Sequence, residues 1–279
     1  MKNKLVSLLA AALLAAAGAA LAAGAPAPRM ERFGADSRDL ESLQRGARLF
    51  VTYCVNCHSA KFMRYNRLAD IGLTESQITD NLILTGRFEQ TPAGEVFAPA
   101  KIGETMQVAM RPADARAWFG APPPDLSVEA RVRGTEWLYN YLIAFYRDDK
   151  SATGWNNLVF PNVGMPHVLW ELSGVNRLVV GEHPTHAAAE GAAIAAKAIA
   201  LVEPAQGKYT VKTLAVQEPG TMSPAEYRKA MGDLVNFLDY VSEPAKNTRR
   251  TLGVVVLIFL GVLFVFAYWL KREYWKEVH

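Results

Sequence analysis

Cysteine is nearly absent, with two in 279 residues, Cys54 and Cys57. That scarcity excludes a disulfide framework, and it excludes a thiolate zinc site, which needs about four thiolate or imidazole ligands. Besides His58, the histidines are His167, His183, His186 and His279, and their spacing is not that of a zinc finger. Blocks of like charge are also missing: 30 basic and 27 acidic residues leave a net charge of +3, which gives no support to nucleic-acid binding. The excess positive charge sits near the ends. Between residues 24 and 245 there are 22 Lys and Arg against 25 Asp and Glu, so the body carries a net −3. A mildly acidic body suits a basic protein partner where its acids cluster. The chain has no internal repeat, and its long uncharged runs lie at residues 5–21 and 252–270.

The two cysteines stand in Cys54-Val55-Asn56-Cys57-His58. C-x-x-C-H is the attachment sequence of a c-type haem. Each thiol forms a thioether to one haem vinyl, the two-residue spacer matches the separation of the vinyls, and the adjacent histidine becomes the proximal iron ligand. A redox-active C-x-x-C is the competing reading, but it expects a βαβ context that this chain does not offer. The motif occurs once, so one covalent haem c is expected.

The N-terminus fits this cofactor. Lys2 and Lys4 precede the alanine-rich apolar stretch at 5–21, Ala20-Leu21-Ala22 is an A-x-A cleavage site, and the extended segment 24–28 follows. These are the parts of a secretory signal, expected at 1–22. At the other end, residues 252–270 (LGVVVLIFLGVLFVFAYWL) are long enough to cross the hydrocarbon core as one helix. Tyr268, Trp269, Tyr274 and Trp275 provide interfacial aromatics. Flanking cations do not set the orientation, because Lys246, Arg249 and Arg250 balance Lys271, Arg272 and Lys276. The signal does set it: residues 23–246 form an exported, periplasmic haem domain, and 271–279 a short cytoplasmic tail of a bacterial inner-membrane protein.

Within the body, residues 39–53 read as a helix leading into the haem motif, with Leu40, Leu43, Ala47 and Phe50 at helical spacing. Gly46 interrupts it, at a cost of about 1 kcal/mol relative to alanine, and so marks a close approach by another element. The expected partner is a helix at 224–241, with Ser223 as N-cap, Pro224 in the first turn and a stripe of Tyr227, Met231, Leu234 and Leu238. Two helices crossing at a small glycine beside a haem resemble the class I cytochrome c core. The expected fold is therefore mainly α, a class I cytochrome c-like haem domain with insertions, plus one C-terminal transmembrane helix. An alanine-rich helix is expected at 187–201 and a short hairpin strand at 208–215, with His183 and His186 solvent-facing around Pro184.

The sixth iron ligand decides the chemistry, since a methionine raises the potential into the range of electron carriers. Met63, Met106, Met110, Met165, Met222 and Met231 follow the haem motif, and most methionines are core filling. Met165, in Phe160-Pro161-Asn162-Val163-Gly164-Met165-Pro166, and Met222, in Gly220-Thr221-Met222-Ser223-Pro224, both lie in Pro/Gly loops able to present a side chain rigidly. The residues alone leave both open.

The order of these features resembles the cytochrome c1 family: a signal with an early C-x-x-C-H, the segment Ala121-Pro122-Pro123-Pro124-Asp125-Leu126-Ser127, the loop around Phe160 to Pro166, and a C-terminal anchor after a short cytochrome-type helix. The likeness spans nearly the whole mature chain. It implies Met165 as the sixth ligand, with Met222 left to packing. It implies that the stretch containing Pro124 lies against the haem and that Arg131 sits near a propionate, although Arg133 is two residues away; Asp125 and Ser127 read as turn or cap residues. It further implies an electron-transfer subunit of a dimeric bc1 complex, the ubiquinol:cytochrome c oxidoreductase, with no catalytic residue of its own. Cytochrome b and the Rieske iron-sulfur protein are the implied partners, and a soluble or membrane-bound cytochrome c the implied acceptor. Other readings are a membrane-anchored monohaem cytochrome of another respiratory complex, or a haem peroxidase or sensor with an open sixth site.

Overall fold

The computed structural model describes residues 27–277; the expected signal at 1–22 lies outside them. The chain divides into two compact units, one of Phe33–Tyr139 with residues from Ala225 onward, the other of Asn140–Pro224 with the stretch up to Arg32.

The first unit carries the C-x-x-C-H motif. Helix α1 (Leu40–Leu49) begins at Asp39, whose side chain accepts from the Ser42 amide, and Glu41 and Arg48 suit its two dipole ends. Its inner face holds Leu43, Gly46 and Ala47, while Leu40, expected in the same stripe, is 48% exposed at the first position. The helix then widens into a π-type turn, Phe50–Cys54, closed by Val55 N–H donating to the Phe50 carbonyl at 3.0 Å. Such turns recur at functional sites because they re-aim the next residues.

Helices α2 (Glu75–Asn81), α3 (Pro112–Phe119), α4 (Glu129–Arg133) and α5 (Thr135–Ile143) follow, with strands β1 (Ala60–Arg64), β2 (Gly86–Thr91), β3 (Gly94–Pro99) and β4 (Thr105–Met106). β1 pairs with β4 and β2 with β3, both antiparallel. The later helix α8 (Pro224–Ser242) buries the expected stripe of Tyr227, Met231, Leu234 and Leu238, along with Val235, Phe237, Tyr240 and Val241. It crosses α1 at Gly46, where a Cβ would stand 2.1 Å from the Asp233 carbonyl oxygen and 2.7 Å from the Phe237 Cβ. Phe50 and Phe237, both fully buried, meet at 5.6 Å beside this crossing. Burial of such side chains contributes about 1.5–3 kcal/mol each. Polar groups clamp the same joint: Asp233 accepts from Ser42 Oγ at 2.6 Å and from Arg45 Nε at 2.6 Å.

After α8, helix α9 (Lys246–Tyr274) contains the expected span and is apolar and long enough to cross a membrane, with none of its apolar window buried. Its first turns are tied back by Lys246 to Asp239 of α8 (2.6 Å) and by Arg249 to Glu243 just beyond it (2.5 Å).

The second unit is built on an antiparallel sheet in the order β7-β9-β8, with β7 (Gly174–His183), β8 (Ala200–Ala205) and β9 (Lys208–Pro219). The short pair β5 (Phe145–Arg147) and β6 (Trp155–Asn157) and helices α6 (Trp170–Ser173) and α7 (His186–Ala195) complete it. The alanine-rich helix stops at Ala195, short of the expected 201. Lys197 takes φ +50°, and residues 199–201 alternate sides: Ile199 and Leu201 pack with Ala144 and Leu158, Ala200 with Ala189, Ala193 and Val211. That period of two is a strand, imposed by pairing with β9 rather than by alanine's helix propensity. The strand expected at 208–215 is the first part of the longer β9. The helices thus share the chain with antiparallel sheet in both units.

Candidate haem site

In the first unit, Cys54 closes the π-type turn and His58 N–H donates to the Cys54 carbonyl at 2.8 Å, so the five motif residues form one tight turn. Both thiols are unpaired by disulfide and half-buried. Burial, then the neighbouring Cys57, pushes the Cys54 thiol up to about 12, and burial raises Cys57 as well. Burial thus favours the neutral thiol at both positions. Among the described residues no group of three or more His, Cys, Asp and Glu side chains is gathered for a metal ion.

His58 supplies the deciding geometry. Its Nδ1 lies 2.7 Å from the carbonyl oxygen of Pro124. A carbonyl only accepts, so Nδ1 carries the proton and Nε2 is left bare as a metal ligand. Burial keeps the imidazole below its ordinary range, against the pull of that hydrogen bond and the carboxylates of Glu129 and Asp125. A neutral, oriented imidazole is what a haem iron requires.

The segment holding Pro124 is strapped to the chain just after the motif. The Leu126 amide donates to the Ser59 carbonyl at 2.8 Å, Asp125 accepts from the Lys61 amide at 3.0 Å, and Ser127 Oγ accepts from the Phe62 amide at 3.1 Å. Asp125 also accepts from the Ser127 amide at 2.9 Å, the turn-type bond expected of it. Their bonds to the strand are what the sequence reading missed. The one available signal was an Asp-x-Ser directly after three prolines.

Arg131 lies exposed on α4 and, among the described residues, makes no ion pair. Arg133 is engaged elsewhere, 3.2 Å from Glu129 and 4.6 Å over the Trp137 ring. Glu243 is held below the usual carboxylate range, foremost by the Arg249 hydrogen bond, with Arg131 adding a weaker attraction.

In the second unit, Met165 is half-buried against Phe145, Trp155 and Val163. Its loop is fixed by two neighbouring asparagines. Asn157 Oδ1 accepts from the Val159 and Phe160 amides at 2.9 and 3.1 Å, and Asn156 Oδ1 accepts from Asn162 at 2.9 Å, where φ is +60°. Next to it His167 is buried, stacked on Phe145 at 4.7 Å and 2.7 Å from Ser173 Oγ, and burial lowers it to about 4. Met222 is anchored through its backbone, donating to the Leu172 carbonyl at 3.1 Å.

A model of the cytochrome c1 family matches residues 32–278. The chain belongs to the cytochrome c1 family. Cytochrome c1 of Allochromatium vinosum is 42% identical over 273 residues, 98% of each chain. A protein named ammonia monooxygenase gamma subunit, from Nitrosomonas europaea, is 41% identical over 251 residues, 90% of this chain and 89% of its own length. Cytochrome c1 of Rhodospirillum rubrum is 27% identical over 255 residues, covering 86% and 83%. Cytochrome c1 proteins carry covalently bound haem c, and the oriented His58 with two neutral thiols fits that group.

Proposed function

We propose that this chain is the electron-transfer subunit of a cytochrome bc1 complex, in which Cys54 and Cys57 would anchor the haem by thioethers, His58 and Met165 would ligate its iron and Arg131 would meet a propionate. The observation that carries the reading is the Pro124 carbonyl on His58 Nδ1, which fixes the ring and leaves Nε2 for iron. The haem supplies a one-electron Fe(III)/Fe(II) couple. Cys54 and Cys57 would hold the macrocycle to the motif turn through thioethers. Pro124 raises the basicity of His58, Met165 offers a soft thioether that favours the reduced state, and Arg131 brings a fork suited to a carboxylate.

Membership of the cytochrome c1 family supports cytochrome b and the Rieske iron-sulfur protein as partners, in a complex proposed to be dimeric. The iron-sulfur protein delivers the electron, and a soluble or membrane-bound cytochrome c takes it. In this reading 1–22 is a cleaved signal, 23–246 a periplasmic, class I cytochrome c-like haem domain, 252–270 the single span of the bacterial inner membrane and 271–279 the cytoplasmic tail. The α1/α8 crossing at Gly46 supports the class I assignment, and the apolar α9 supports the anchor.

Optical spectra of the membrane-extracted protein test the ligand set. Loss of the far-red charge-transfer band of ferric methionine-ligated haem, with a large fall in potential, is expected in Met165→Leu and not in Met222→Leu. The reverse result overturns the Met165 assignment. A high-spin wild type that binds carbon monoxide replaces the carrier with an enzyme or sensor. Purification through a tag after His279 is expected to bring cytochrome b and the iron-sulfur protein; a different set of subunits would place the chain in another respiratory complex.

A further inference from the structure

Tyr141 comes from α5, and its hydroxyl lies 3.4 Å from the sulfur of Met165, to which it donates. The donor is held from several sides. Phe145 meets its ring edge-on at 5.2 Å and Phe160 at 6.4 Å, and its own carbonyl accepts from Asn157 Nδ2 at 2.8 Å. Asn157 also holds the start of the methionine loop, through the Val159 and Phe160 amides. One side chain therefore ties donor and acceptor to the same support. Methionine has three rotatable bonds and no intrinsic aim, so such a contact selects its rotamer.

We propose that Tyr141 is a positioning residue for Met165, its hydroxyl occupying one lone pair of the thioether sulfur and leaving the other for the iron. This rests on the assignment of Met165 as sixth ligand. A thioether sulfur has two lone pairs, and hydrogen bonding around an axial ligand is one of the levers by which a protein sets a haem potential. The O–H dipole points its positive end at the sulfur and draws electron density from it. Ferric iron depends on that donation more than ferrous iron does, so the hydrogen bond raises the potential and its loss lowers it.

The test uses the full-length membrane protein carrying Tyr141→Phe, which keeps the packed ring and deletes only the hydroxyl. At fixed ambient potential the reduced-to-oxidised ratio is expected to fall about fivefold, or about 40 mV for a one-electron couple. Imidazole competition reads the positioning instead of the donor strength: a Met165 no longer held in its rotamer by the hydroxyl is expected to give up the ferric iron at a several-fold lower imidazole concentration. In a Met165→Leu background the same substitution is expected to change neither readout. Site-specific 3-fluorotyrosine at 141, a stronger donor of the same shape, shifts the ratio the opposite way and keeps the test decisive if Tyr141→Phe does not fold. An unchanged potential and imidazole affinity in Tyr141→Phe, or a fluorotyrosine shift in the same direction as Phe, overturns the proposal while the ligand assignment stands. If Met165→Leu keeps the far-red band, the ligand assignment fails and the proposal with it.

Discussion

Gly46 shows how one missing carbon sets a core. Alanine gains about 1 kcal/mol of helix propensity there, but its Cβ would lie 2.1 Å from the Asp233 carbonyl oxygen and 2.7 Å from the Phe237 Cβ, and a backbone atom does not step aside. The clash wins. Gly46→Ala is expected to lose about 3 kcal/mol, the upper end of ordinary overpacking costs, seen as an earlier midpoint in denaturant titrations followed by haem absorbance. Asp233, on the same joint, makes a pH prediction. Burial opposes its ionisation, but hydrogen bonds from Arg45 and Ser42 outweigh that and hold the carboxyl below its ordinary range. A depressed carboxylate contributes stability that is fully present above the unfolded value, about pH 4, and is lost as pH falls through the lower folded value. Asp233→Asn is thus expected to be less stable at neutral pH and to lose less on acidification, as measured by denaturation midpoints across a pH series.

Two elements carry separable predictions. The segment 122–127 acts as a strap whose purpose is the Pro124 carbonyl, which no side-chain substitution removes. Asp125 is the handle on it, because its carboxylate accepts both the Lys61 and Ser127 amides. Asp125→Ala is expected to cost about 1–2 kcal/mol, again read by denaturation. Because that loosens the hold of Pro124 on His58 and lowers the basicity of the ligand, a raised potential in redox titration is expected with it. Helix α9 is governed by a different solvent. Its apolar length matches the hydrocarbon core of a bilayer. Leu260→Arg, near the middle of the run, is expected to weaken insertion by about 2.5–3.5 kcal/mol, seen as increased release from membranes on alkaline extraction.

For the whole molecule the central point is that no disulfide braces it, since its two cysteines are spent on the cofactor motif. In the haem-bearing unit the covalent group is the available cross-link, and ligand binding to the native state stabilises by mass action. Cys54→Ala with Cys57→Ala is expected to yield chain that lacks covalent haem on a peroxidase-stained gel, and that is degraded faster than wild type in pulse proteolysis. Recovery of a protease-resistant chain without haem would show that the protein core suffices by itself.

What the sequence alone determined is whatever depends on neighbours along the chain. Thioether chemistry needs five consecutive residues, a membrane span needs an apolar run of set length, and the α1/α8 crossing announces itself through helical periodicity and one glycine; all were legible. The tertiary structure decided the rest. His58 finds its partner 66 residues away in a backbone carbonyl, which leaves no side-chain signature. Tyr141 meets a sulfur 24 residues further on. The break of the alanine-rich helix and the strand Gly174–His183 arise from pairing with β9, which overrides local propensity. Such long-range contacts depend on which distant groups the fold brings to within hydrogen-bonding distance, and local pattern does not encode that choice.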